Sequence, residues 1–189
     1  GASDEVPLTF SYSVEDSDGS TSSNTLTIDV RDDGPVAVDG ADLNVTEGEG
    51  SQSGTNLLTN DEPGADGYDG AVTAIDYTNT SGAPASANIS SGGSAVVSTQ
   101  TGSLTVNSDG SWSFDPNSSV DHSGGAVSES FDYTITDMDG DSSTATQDVN
   151  IADTAPLAVQ DTDLNVTEGE GSQSGKGLLI NDSTGQDTP

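Results

Sequence analysis

Apolar and polar residues alternate along Leu8-Thr-Phe10-Ser-Tyr12-Ser-Val14 and again along Phe131-Asp-Tyr133-Thr-Ile135. Each run is followed by an acidic turn and a second alternating run: Leu26, Ile28 and Val30 in the first case, Ala145, Val149 and Ile151 in the second. A period of two places every other side chain on one face of a strand. Each pair therefore predicts a β-hairpin with a loop longer than the two-residue minimum, one face buried and the other wet. Between them, Val36 and Val38 open a strand that Gly40 interrupts and Leu43 and Val45 resume. Residues 47–54 read as a turn region, 56–60 as a short strand, 61–70 as an acidic loop and 71–77 as a further strand. Ala95-Val96-Val97 gives a weak strand signal in a Ser/Gly/Thr-rich stretch whose earlier part carries no assignable pattern. Leu104-Thr-Val106 and Ser111-Trp112-Ser-Phe114 flank Asp109-Gly110, a strong hairpin signal. Trp112, Phe114, Phe131, Tyr133 and Ile135 are expected to carry most of the buried area, since aromatic side chains contribute most per residue. No helical periodicity of useful length is present.

The pattern also repeats at long range. Residues 43–54 recur letter for letter at 164–175, within a longer correspondence between 28–54 and 149–175. Pro35 is equivalent to Pro156, so the period is 121 residues, the distance from 35 to 156. Each copy closes one alternating strand, passes through a carboxylate-rich link with a proline, and opens the next strand. That is the anatomy of a junction in a tandem array. Residues 35–155 are then one whole module, 1–34 the closing hairpin of a preceding module, and 156–189 the opening strands of a following one. Short strands with frequent turn signals, in a module of this length, predict an all-β, immunoglobulin-like sandwich.

Charge narrows the function. Two Lys/Arg against 33 Asp/Glu give a formal charge of −31. Nucleic-acid binding needs cationic side chains and is excluded; contact with an anionic membrane surface fails for the same reason. So large a charge opposes compaction unless cations neutralise it. Low hydrophobic content raises the alternative of a disordered chain, but the apolar residues sit in strand-like alternation rather than scattered. There is no cysteine, which leaves a hard metal as the natural staple for a small carboxylate-rich module.

The acids cluster at predicted turns. Asp137-Met-Asp139-Gly140-Asp141 matches Asp16-Ser-Asp18-Gly19 one repeat earlier. Asn60-Asp61, with Asp66 and Asp69 further along the same loop, has a partner in Asn181-Asp182. The link carries Asp32 and Asp33, and its later copy Asp153. Alternating acids with a glycine resemble the start of an EF-hand loop, but the following helix and bidentate Glu are missing. Antiparallel topology brings three of these segments to one pole: the link, the end of the short strand at Asn60-Asp61, and the turn before the last strand. Ca²⁺ takes about six to eight oxygens, more than any one segment offers. A Ca²⁺ site is therefore expected at this pole, next to the preceding module. Glu47 falls at the opposite pole, near Asp153. Each Asp taken singly is an ordinary turn former; convergence and net charge favour the metal.

Catalytic signals are weak. His122 lies beside Asp121 and several serines, but no nucleophile-elbow motif accompanies them. No aromatic cleft flanks the paired carboxylates, as glycoside cleavage would require. Trp112 alternates with Phe114 and reads as core rather than as a sugar platform. The chain is not expected to be an enzyme.

Several segments together resemble a known group: Gly34-Pro-Val-Ala-Val, Val45-Thr-Glu47, Leu57-Leu-Thr-Asn60-Asp61, Asp109-Gly-Ser-Trp-Ser-Phe-Asp-Pro116 and Ser130-Phe-Asp-Tyr-Thr-Ile-Thr-Asp137. They are similar to the VCBS and bacterial cadherin-like repeats of giant RTX adhesins, over 35–155 and both partial copies. The resemblance implies extender modules, exported and held at the bacterial cell surface, with Ca²⁺ at or near the junctions. Two departures stand out. That family's loop after Asn-Asp usually reads Asp-Gly-Asp, whereas Asp66-Gly-Tyr-Asp69 carries an insertion, and the nonapeptide β-roll repeats are missing. The expected function is thus a spacer that projects an adhesive tip. The alternative is a module that itself grips a glycan or other surface, although near-verbatim repetition favours the spacer. Expected partners are neighbouring modules of the same chain, and head-to-tail contacts through the two partial modules.

Overall fold

A computed structural model describes residues 5–162, 164–175 and 177–186. The chain is all-β. The first two strands, β1 (Glu5–Glu15) and β2 (Thr21–Arg31), form a hairpin of their own, in register from Glu5↔Arg31 to Glu15↔Thr21. The remaining strands are β3 (Leu43–Thr46), β4 (Gln52–Ser53), β5 (Tyr68–Thr78), β6 (Pro84–Asn88), β7 (Ser94–Ser98), β8 (Gly102–Asn107), β9 (Trp112–Pro116), β10 (Val127–Asp137) and β11 (Ser142–Ala152). They build two sheets, ordered β3-β11-β10-β5-β6 and β4-β9-β8-β7. All ladders are antiparallel except β3 on β11, which is parallel with Leu43 opposite Val149 and Val45 opposite Ile151.

The core lies between the sheets. Alternate residues of β10 and β11 (Phe131, Tyr133, Ile135, Ala145, Val149, Ile151) face Leu104, Val106, Trp112 and Phe114 of the second sheet, all of them buried. Trp112 meets Phe131 edge-on at 5.3 Å, the arrangement that ring quadrupoles prefer. Its indole N–H donates to Thr55 O at 2.7 Å, so the ring is a core element as its alternation implied.

Several expectations are corrected. Residues 56–60 form a 3-10 turn (Leu57–Thr59), not a strand. Asn56 caps it by accepting from Leu58 N, and a local side-chain acceptor of this kind competes with sheet pairing. The turn assigned to 47–54 contains β4. β5 begins at Tyr68, before the acidic loop was expected to end. β6 carries no sequence signal, because Pro84-Ala-Ser-Ala-Asn88 has no large apolar side chains; its position at a sheet edge needs none. The apolar face predicted for the first hairpin exists but is exposed, with both strands outside the sandwich. The tail from 156 was expected to open two strands. Among its described residues there is only the bridge Leu157↔Ser183. Residues 164–167 have the sequence of β3 yet form no ladder, since β3 depends on the edge of β11 and the tail meets no such edge.

Candidate metal centre and module junctions

At the end of the sandwich where β10 turns into β11, Asp137 closes the turn. Its backbone N–H donates to Asp141 O at 3.0 Å. Its Oδ1 accepts from Gly140 N at 3.0 Å and Asp141 N at 2.8 Å. Its Oδ2 is buried and has no hydrogen-bond partner. The link delivers Asp32 to the same place: one carboxylate oxygen from each of Asp32, Asp137, Asp139 and Asp141 lies within 4.8 Å of the others.

Crowding shows in the acidities. Asp139 is pushed up to about 6 by the Asp137 carboxylate beside it, with burial adding to it. Asp141 is raised through its hydrogen bond to Asp32, burial and the Asp32 charge. Burial pushes Asp137 itself up, but its interaction with Asp139 and the hydrogen bonds from the Asp141 and Gly140 amides outweigh it and leave Asp137 below the usual range. Like charges held this close normally shed one charge by protonation. A hard divalent cation resolves the same conflict, and an all-oxygen cluster with a buried, undonated oxygen fits one. Asp33 and Asp66 line the adjoining cleft of about 370 Å³ together with Asp32 and Asp139.

The link is seated on the module by backbone contacts. Val36 N donates to Glu62 O at 2.8 Å, Glu62 N to Val36 O at 2.9 Å, and Ala37 N to Ser143 Oγ at 3.0 Å. Gly64, at φ +76°, lies so close to the link that a Cβ there would sit 2.1 Å from Asp33 O. Asp61 serves the module interior. It accepts from Val38 N at 2.8 Å and from the Tyr133 hydroxyl at 3.1 Å. Burial raises its pKa despite these bonds. Asn60 donates to Val38 O and Asp39 O.

The opposite pole holds the second acidic group. Glu47, 1% exposed, accepts from Val120 N at 2.9 Å through one oxygen, and from Thr154 N at 3.0 Å and Thr154 Oγ1 at 2.6 Å through the other. Burial opposes its charge, but the donors from Thr154 and Val120 prevail and lower its pKa. Glu47, His122 and Asp153 also offer ligand atoms within 4.8 Å of one another. His122, however, has its ring nitrogens 2.8 Å from Val120 O and 3.1 Å from Ile151 O, and these two carbonyls raise its pKa. Thr154 Oγ1 in turn accepts from Gln186 N at 2.8 Å. Gly185, at φ +79°, leaves room for a Cβ only 2.0 Å from Thr154 O, repeating the seat of Gly64 on Asp33.

Residues 32–151 match the bacterial Ig domain family. The chain belongs to that family. The matched span runs from the cluster residue Asp32 to the last buried residue of β11, so the Ig domain carries its own link acid with it. No curated protein matches the chain at a significant level.

Of the acids singled out from sequence, the Ig domain gathers Asp32, Asp137, Asp139 and Asp141 into one cluster, with Asp33 and Asp66 beside it. Asn60 and Asp61 stand in the framework behind Tyr133 rather than in the cluster. Asp69 lies in β5, with its side chain outside the described part of the structure. Asp16 and Asp18 sit at the tip of the first hairpin, where Asp16 Oδ1 accepts from Asp18 N and Ser20 N; the second of these bonds recurs one repeat later as Asp141 N to Asp137 Oδ1. That tip is roughly 35 Å from Asp32 along an eleven-residue strand. Glu47 and Asp153 meet at the other pole, as their placement implied. Sequence reading missed Thr154 and Gln186, which connect Glu47 to the following repeat. The available signal was positional, since Thr154 occupies the place of Asp33 in the repeat.

Proposed function

We infer that this bacterial Ig domain is a structural extender of a cell-surface adhesin, of the cadherin-like VCBS type that its motifs resemble. It acts by holding successive modules in line, not by catalysis. Ca²⁺ held by Asp32, Asp137, Asp139 and Asp141, with Asp33 and Asp66 in reach, joins the link to the turn of the following module. One observation carries this reading: an acid from the link and three from the module share a site. An ion there bonds both sides of a hinge and removes bending freedom. The same ion supplies positive charge where the repulsion of a chain at −31 is most concentrated. The 121-residue repetition supports a spacer, since identical copies add length and one recognition site needs no duplicate.

Small-angle scattering on a chain of several consecutive repeats tests this. The maximum dimension should shorten when Ca²⁺ is chelated and recover on its return. A dimension indifferent to Ca²⁺ rules out the stiffening role. Binding of the isolated Ig domain to a glycan array would favour a gripping module instead.

A further inference from the structure

The chain has one histidine, His122. It lies in the connection between β9 and β10, at the pole opposite the Asp32 cluster. Val120, two residues earlier, is buried in the core and anchors this connection. The imidazole spans from there to the end of β11: Nδ1 lies 2.8 Å from Val120 O and Nε2 3.1 Å from Ile151 O. Both neighbours are acceptors only. A neutral imidazole has a single N–H and serves one of them, which leaves its other nitrogen lone pair against a carbonyl oxygen. An imidazolium donates to both.

The charged groups around the ring favour the same form. Glu47 faces it from just after β3 and Asp153 from the link after β11, each with an oxygen within 4.8 Å of a ring nitrogen. Asp121 stands beside it in its own connection. All three are acids. The carbonyls of Ile151 and Val120, and then the charges of Asp153 and Glu47, raise the histidine's pKa against the opposing effect of burial.

His122 also closes a circuit of hydrogen bonds. It joins Ile151 to Val120, Val120 N donates to Glu47 Oε2, and Glu47 Oε1 accepts from Thr154 N and Thr154 Oγ1. Thr154 is three residues along the chain from Ile151, so the link leaves the domain inside this circuit. The donors to Glu47 hold its pKa down and keep it ionised. His122 is therefore the member that changes charge near neutral pH.

We propose that protonated His122 fastens the link after β11 to the Ig domain, and that loss of this proton loosens it. When the proton leaves, one carbonyl loses its donor, and Glu47 and Asp153 lose the positive charge beside them. The connection that carries Val120 then parts more readily from Ile151, and the hold of Glu47 on Thr154 loses its support. A raised folded-state pKa fixes the direction: the stabilisation is complete below about 6.5, the ordinary histidine value, and is lost as pH rises through the folded value. The device needs no metal and lies at the other pole from the acid cluster, so it is independent of the Ca²⁺ reading.

With a single histidine, one imidazole C2–H resonance in an NMR titration of the whole chain reads His122 directly. Its midpoint should lie above about 6.5, in chelator and in millimolar Ca²⁺ alike at equal ionic strength. Nitrogen shifts should show both ring nitrogens protonated below the midpoint. Amide-exchange protection, corrected for intrinsic pH dependence, should fall across the midpoint at Val120 and Thr154 by about fivefold, the worth of one average hydrogen bond. Val106 in β8 should keep its protection. His122→Gln keeps one donor and does not titrate, so its protection at Val120 and Thr154 should be low at every pH. A midpoint at or below about 6.5 in chelator overturns the proposal. So does one that falls below that value on adding Ca²⁺, which would place the ion in this circuit instead. Unchanged protection at Thr154 across the midpoint overturns it as well, and so does a pH-dependent loss that persists in His122→Gln.

Discussion

Asp139 and Glu47 are both carboxylates at a module pole, and their surroundings act in opposite directions. Asp139 sits among acids and is held up at about 6; a folded-state pKa above the ordinary value means that ionisation opposes folding. In cation-free buffer the stability that this group contributes is therefore present at acid pH and lost as pH rises from about 4 through 6. Asp139→Asn removes that repulsion. It should raise the melting temperature at pH 7.5 in chelator, have little effect near pH 4, and lower the melting temperature in millimolar Ca²⁺. A shift of the same sign with and without Ca²⁺ would show that the cluster does not hold the ion. Glu47 is depressed by its donors, so its stabilisation is present at neutral pH and lost only as pH falls through that lowered value. Glu47→Ala strands Val120 N and Thr154 N and should cost about 2–3 kcal/mol, equally with and without Ca²⁺, as denaturant unfolding can show. The turn acids were legible because Asp-X-Asp-Gly between alternating runs is a local pattern. The role of Glu47 was not, because Val120 and Thr154 reach it only through the fold.

At the level of elements, alternation of large side chains located β1, β2, β8, β9, β10 and β11. It failed where the sheet asks for no large side chain, as in β6, and where a capping residue redirects the backbone, as at Asn56. The sequence Leu-Asn-Val-Thr makes the point most directly: it is a strand at Leu43–Thr46 and unpaired at 164–167. What differs is the edge available to it, so β-propensity alone could not separate the two. Tyr133 ties the opening segment to β10 through a buried hydroxyl, whose pKa burial and the Asp61 charge raise. Tyr133→Phe leaves Leu57 O and Asp61 without that donor. It should destabilise the domain by about 1–2 kcal/mol, with the loss of hydrogen-exchange protection concentrated at Val38. Unchanged protection there would contradict this assignment of the hydroxyl.

At the scale of the whole chain, the Ig domain has a link at each pole, and the two links are built differently. The first presents Asp32 to the turn acids, with Asp33 lining the adjoining cleft; the second ties Thr154 to Glu47 on one side and Gln186 on the other. Repeat period and composition placed the junctions and suggested cations there. The division of labour between an acid cluster and a hydrogen-bonded clamp needed coordinates, since Asp33 and Thr154 occupy equivalent positions with different chemistry.

The central claim is that one Ca²⁺ is shared between link and module, and a calorimetric titration of the chain with Ca²⁺ tests it most directly. Saturable binding is expected at about 10⁻⁴–10⁻³ M, the range of extracellular modules. Asp32→Ala on the link and Asp139→Ala on the turn should each weaken it by about tenfold or more, a loss of at least about 1.4 kcal/mol. Asp148→Ala, exposed in the middle of β11, should leave it unchanged. No saturable heat, or an equal loss from all three substitutions, would contradict the account.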